Sequence, residues 1–194
     1  MITPGGERAV VSANTQGHEP AYPSASVLDG ASALLIDGHL PDVQIPLARQ
    51  AQQQGIPVVL DAGSYKDGLE TLLTVCDHVI CSADFHFPSQ PELTGTDLLV
   101  AIRQQGPEMA AQSHGEGPID VVMGSSTFRI PVDAVADEDV VDSLGAGDVL
   151  HGAYAAALAE GRNPIEALVA ASAAASISVR FPGALGWSHA LRQE

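Results

Sequence analysis

The sequence predicts a three-layer α/β/α domain with a doubly wound, mostly parallel sheet, and three observations carry that prediction. Short continuous apolar runs alternate with segments of helical composition; the runs end at Asp, Gly or Ser; and a glycine-rich turn at 145–147 opens into a long alanine-rich stretch. Strands that are apolar along their whole length are buried on both faces, which is how a parallel sheet between two helix layers reads.

The elements follow in order. Ala33-Leu34-Leu35-Ile36 reads as a strand ending at Asp37-Gly38, and residues 42–54 as a helix stopped by Gly55. Pro57-Val58-Val59-Leu60 is the next strand, ending at Asp61-Ala62-Gly63-Ser64; residues 67–76 read as a helix and His78-Val79-Ile80-Cys81 as a strand. Residues 96–105 read as a further helix, with threonines at 94 and 96 as its start signal. Ligands of such sheets bind beyond the carboxyl ends of the strands. That makes Asp37, Asp61, Ser82 and Asp84 site candidates, although each also serves as a loop residue or helix cap.

The middle of the chain changes character. Residues 119–130 read as a β-hairpin turning at Gly124, and 133–139 as an acidic surface connection. Two alanine-rich helices are expected over 146–160 and 164–179, the second capped by Asn163 with Pro164 at its first position. Residues 2–14 suggest two short strands around Gly5-Gly6, so the chain divides into residues 1–30 and a main unit over 31–194.

Composition bounds the function. A length of 194 residues, 45% of them hydrophobic, and a mean hydropathy of +0.13 fit one domain with a real core. No apolar stretch reaches membrane-span length, and no leader-like segment opens the chain, so a cytoplasmic protein without a membrane partner is expected. The net charge of −16 argues against nucleic acid, yet leaves room for a nucleotide, because phosphate sites are local arrangements of N–H dipoles. Cys76 and Cys81 lack metal-ligand spacing and read as buried, reduced thiols.

The chemistry concentrates in Asp142-Ser143-Leu144-Gly145-Ala146-Gly147-Asp148. A glycine turn entering a helix offers free N–H groups and a dipole to an anion, and glycine lets the backbone approach it. Asp148 would then stand beside a reacting phosphoryl group as a proton acceptor; the plain alternative is a tight turn with Asp148 as a capping carboxylate.

Together with this run, three other stretches make the chain resemble the ribokinase-like (PfkB) carbohydrate kinases: Leu60-Asp61-Ala62-Gly63-Ser64, Ser113-His114-Gly115-Glu116-Gly117 and Arg180-Phe181-Pro182-Gly183-Ala184. Four elements in the family's order are much harder to match by accident than one. The resemblance implies ATP-dependent phosphorylation of a hydroxyl of a sugar or sugar derivative, with ATP and Mg²⁺ and a monovalent cation such as K⁺. By the same resemblance Asp148 is the catalytic base and Gly145, Ala146 and Gly147 form the anion hole. Ser113, Gly115, Gly147 and Ser172 are implied along the nucleotide, and Asp142, Leu144, Val179 and Gly183 around the cation. Asn14 and Asp37 join Asp148 as candidates for holding the acceptor.

Two departures stand out. Ser82-Ala83-Asp84-Phe85 replaces the family's N-x-x-E element, as in a ketohexokinase-like branch, so Asp84 becomes the candidate for a metal-bound water. The resemblance also covers only the later part of the family: the first βαβ units and the Gly-Gly sugar segment lack counterparts, and residues 1–30 resemble a remnant β lid and linker. An N-terminally truncated kinase is therefore expected, with an exposed sheet edge that favours association, a homodimer being its simplest form. A nucleoside kinase and a non-catalytic nucleotide-binding fragment are the other readings.

Overall fold

Five residues of one strand carry the logic of the sheet. In Val58–Ala62 (β2), Val58, Leu60 and Ala62 turn into one buried cluster and Val59 into another, while Asp61, on the same side as Val59, is half-buried at the strand end. The computed structural model describes residues 20–24 and 26–190. In it β1 (Leu34–Ile36), β2, β3 (His78–Ser82) and β4 (Met109–His114) run parallel in chain order. The hairpin of β5 (Gly117–Met123) and β6 (Ser126–Ile130) extends the same sheet antiparallel.

Helices α1 (Pro41–Gln53), α2 (Leu69–Leu73) and α3 (Gly95–Arg103) connect consecutive parallel strands. Their inward residues Ala48, Leu72, Leu98 and Ile102 join Leu60, Val79 and Ala110 in one core. The other face of the sheet belongs to α4 (Ala146–Ala159) and α5 (Pro164–Ser178), whose Leu150, Tyr154, Leu168 and Ala171 pack on Val59, Ile80, Met109 and Val121. The alanines that fill these two helices let them approach each other and the sheet closely, so the second core is dense despite its small side chains. A short α6 (Gly186–Ala190) follows. Three layers around a mostly parallel sheet are what the sequence predicts. Among the described residues no helix is long and apolar enough to cross a membrane.

Local rules place several boundaries. The Asn163 side chain accepts the N–H groups of Ile165 (3.1 Å) and Glu166 (3.0 Å), with Pro164 at the first helical position. Two regions differ from the sequence reading. The helix expected over 67–76 shortens to α2, because Gly68 precedes it in the left-handed region (φ 87°). Beyond its end, Val75 and Cys76 turn inward and the Asp77 carboxylate accepts the Val58 N–H at 2.7 Å. Strand β4 carries no strand pattern of its own; its residues Met109, Ala110 and Ala111 are buried between β3 and β5. The strands expected within residues 2–14, and Asn14 itself, lie outside the described residues. Leu28, assigned from sequence to the first unit, is buried in the core shared by α1 to α3.

Two buried polar features are settled by their partners. Tyr154 Oη and His78 Nδ1 share a hydrogen bond at 2.9 Å inside the second core, and the same hydroxyl lies 3.7 Å from Met109 Sδ. Burial pushes the His78 imidazole below its ordinary pKa, against the opposing pull of Asp77 and Glu108, which favours the neutral ring. Cys76 and Cys81 are buried and form no disulfide, the Cys81 thiol donating to the Ala111 carbonyl at 3.2 Å; burial pushes both thiols up to about 12, which leaves them inert as nucleophiles.

Candidate active site

The turn before α4 is built by backbone bonds that span distant parts of the chain. The Val141 and Asp142 N–H groups both donate to the Val179 carbonyl, at 2.8 and 3.0 Å. Asp142 Oδ1 accepts the Leu144 N–H at 2.9 Å, and Oδ2 accepts the Gly183 N–H at 3.1 Å. Gly145 then enters the left-handed region (φ 79°) as the residue that starts α4, with no side-chain cap. A Cβ there would stand 2.8 Å from the Ala184 Cβ, so glycine is demanded both by conformation and by packing.

Gly147 is different. Nothing lies within 4 Å of where its Cβ would be. The missing side chain leaves open space rather than relieving a clash, and Gly147 also lines a cavity of about 340 Å³. Ser113, Gly115 and Glu116 reach it from the β4–β5 turn, Ala146 and Gly147 from the first turn of α4, and Ser172 and Val179 from the end of α5. Ile119, Val132, Val140 and Leu150 supply apolar walls. Apolar walls around a few convergent polar groups suit a flat base carrying phosphates. The four residues read from sequence as nucleotide contacts, Ser113, Gly115, Gly147 and Ser172, thus line one cavity.

A second cavity of about 350 Å³ opens on the other side of the same helical turn, lined by Leu35, Ile36, Asp37, Gln44, Asp61, Asp148 and His151. Asp148 is exposed and has no hydrogen-bond partner among the described residues, so it does not cap α4. Asp37 is firmly held: Oδ1 accepts the His39 N–H (3.0 Å) and the Gln44 amide (2.8 Å), and Oδ2 lies 2.8 Å from His39 Nδ1. Burial by itself would raise its pKa, but these donors together hold the carboxyl below its usual value. Asp61 Oδ1 accepts the Gly63 N–H at 3.0 Å, and Oδ2 lies 3.4 Å from His151 Nδ1.

His151 went unnoticed in the sequence. It stands three residues after Asp148 on α4, so the helical repeat alone would have put it on the same side. Asp84 lines neither cavity; its segment is tied down by Ser82 Oγ donating to the Gly63 carbonyl (2.7 Å) and the Gln112 amide donating to the Ser82 carbonyl (3.1 Å).

The donor set can be tested against the ions. Among the described residues no group of three or more His, Cys, Asp or Glu side chains is placed to hold a metal. Mg²⁺ is commonly held by one or two carboxylates plus the phosphates of a nucleotide, and such an ion fits the donors present. Asp142, Leu144, Val179 and Gly183 are brought together, but by direct bonds. The Val179 carbonyl already accepts two N–H groups and the Gly183 carbonyl accepts the Gly186 N–H at 3.2 Å, so a monovalent cation would have to share these carbonyls, together with that of Leu144, with the backbone bonds they already make.

A three-layer α/β domain whose helix-opening glycine turn parts two cavities belongs to the ribokinase-like fold class. The chain is a member of the pfkB family of carbohydrate kinases, whose family model matches residues 2–189. It is 30% identical over 171 residues to a ribokinase of Arabidopsis thaliana and 29% identical over 176 residues to one of Bacillus subtilis. These matches cover 82% and 86% of the chain but only 44% and 56% of the relatives, so the chain spans about half their length. A ribokinase structure from Thermotoga maritima superposes with a TM-score of 0.74 at 23% identity, covering 89% of this chain and 60% of that one.

Proposed function

We propose that the chain carries the phosphoryl-transfer half of an ATP-dependent kinase acting on a hydroxyl of a sugar or sugar derivative. One observation carries the reading: the first turn of α4 opens to both cavities, with Ala146 and Gly147 on one side and Asp148 on the other. Donor and acceptor held in separate cavities would meet at that turn. Family membership supports the same chemistry.

When bound, ATP supplies the γ-phosphoryl group, with Mg²⁺ on its phosphates. The chain's own part is positioning and charge. The N–H groups of Gly145 and Gly147, and that of Ala146 in exchange for its long 3.3 Å bond to the Ser143 carbonyl, stand at the positive end of the α4 dipole and hold the transferring group and its developing charge. The Asp148 carboxylate, with both oxygens unengaged, takes the proton of the attacking hydroxyl. Asp37, fixed by His39 and Gln44, offers a rigid acceptor to a further hydroxyl of the same molecule.

Replacing Asp148 by Asn tests the assignment. ADP release across a panel of sugars and nucleosides should fall by ~100-fold to 10,000-fold, the range expected for a lost general base, while ATP affinity holds. Undiminished turnover would sink Asp148 as the base. A second reading, nucleotide binding without turnover, draws support from the exposure of Asp148 and from a cavity partly walled by the edge strand β1. ATP binding by calorimetry with no ADP release from any acceptor would favour it.

A further inference from the structure

His151 is 5% exposed, and both of its ring nitrogens face oxygen atoms that only accept. Nδ1 lies 2.7 Å from the Gly147 carbonyl and 3.4 Å from Asp61 Oδ2; Nε2 lies 3.1 Å from the Ile80 carbonyl. A neutral imidazole has one N–H and one lone pair. Either tautomer would aim its lone pair at a carbonyl oxygen within 3.1 Å, on a ring that is 5% exposed. Only the doubly protonated ring satisfies both contacts. A buried cation needs a counter-charge, and Asp61 supplies one from the end of β2. The other ionisable groups of the adjoining cavity are Asp37 and Asp148, both carboxylates, so nothing of like charge opposes the ring there.

The Gly147 carbonyl belongs to the peptide that joins the glycine turn to Asp148. A hydrogen bond on that carbonyl fixes the peptide plane, and with it the spacing between the proposed anion hole and the proposed base. We infer that His151 is a positioning residue held as an imidazolium, which ties the 147–148 peptide of α4 to Asp61 of β2 and to the Ile80 carbonyl of β3. The functional part of this inference rests on the kinase reading; the charge on the ring does not. The cation also lies behind the turn that would receive phosphate, where it adds to the helix dipole.

Nitrogen-15 spectra of the histidine-labelled full chain, without nucleotide and at the pH of the kinetic assay, read the ring directly. The His151 signals, identified by their loss in His151→Gln, should show a proton on each ring nitrogen. Asp61→Asn should return the ring to a single proton. In turnover, His151→Gln should lower kcat by ~100-fold, the scale of a small misplacement of reacting groups, with the ATP KM changed far less. A wild-type ring carrying one proton overturns the inference, and needs no variant to fold. So does unchanged kcat in a folded His151→Gln chain. If Asp148→Asn leaves turnover intact, the kinase reading fails by itself, and the spectrum still decides the charge of His151.

Discussion

The Asp142 carboxylate accepts the backbone N–H of Gly183, 41 residues further along the chain, at 3.1 Å. Its other oxygen holds Leu144 N–H, so one side chain joins the turn before α4 to the loop after α5. Asp142→Ala should free that loop. The bond is partly solvated, so the cost in stability is about 1 kcal/mol, or ~2–4 °C in Tm for a chain of this size. The larger effect should be local: the Gly183 amide loses its protection in hydrogen exchange, and ADP binds more weakly because the cavity wall at Val179 moves with the loop. Full protection of Gly183 in the variant would show that the loop is held by other contacts.

Gly145 and Gly147 should respond oppositely to alanine. At Gly145 the added Cβ meets the Ala184 Cβ at 2.8 Å in a left-handed backbone, so Gly145→Ala should cost about 1–3 kcal/mol and lower Tm. At Gly147 the Cβ enters open space in a helix, where alanine is favoured over glycine by about 1 kcal/mol. Gly147→Ala should therefore melt at or above the wild-type temperature while binding ATP more weakly, since a methyl group on this lining residue keeps phosphate from approaching the backbone. Unchanged ATP affinity in that variant would mean that phosphate does not approach Gly147.

This division of labour within one motif was only half legible in the sequence. Gly145-Ala146-Gly147-Asp148 announces a helix N-terminus fit for an anion, because glycine and carboxylate act there through local backbone geometry. So do Asn163 and Pro164, whose roles are fixed by the residues next to them. Strand β4 was not legible: Met109, Ala110 and Ala111 become a strand through pairing with β3 and β5, not through a pattern of their own. His151 was hidden for a similar reason, since one of its partners, the Ile80 carbonyl, lies 71 residues away. Residues whose partners are sequence neighbours can be read from the chain, whereas those that bridge layers need the fold.

Asn163 offers a test of the local rule. Its Oδ1 accepts two N–H groups at the start of α5, and removal of such a cap typically costs about 1 kcal/mol. Asn163→Ala should lower Tm by ~2–4 °C, and Asn163→Asp should restore most of it, because a carboxylate caps as well and favours the helix dipole. Since the cap lies at the opposite end of α5 from the residues lining the nucleotide cavity, ATP affinity should not change in either variant.

The pH dependence of stability should carry the signature of His78. Burial lowers its pKa in the fold from 6.5, the value taken for the unfolded chain, and its Nδ1 is hydrogen-bonded to the Tyr154 hydroxyl. Below that value the unfolded chain binds the proton more readily than the folded one, so proton uptake favours unfolding. The contribution is complete above pH 6.5 and is lost as the pH falls through the lower, folded value. Urea titrations at a series of pH values should show stability declining over that window. His78→Asn will be less stable at every pH, because it empties part of the core beside Tyr154 and Met109. Its slope across the window should nevertheless be flatter than the wild type's, and the difference in slope, not in level, is the measure. Equal slopes in the two proteins would place the acid sensitivity in another group.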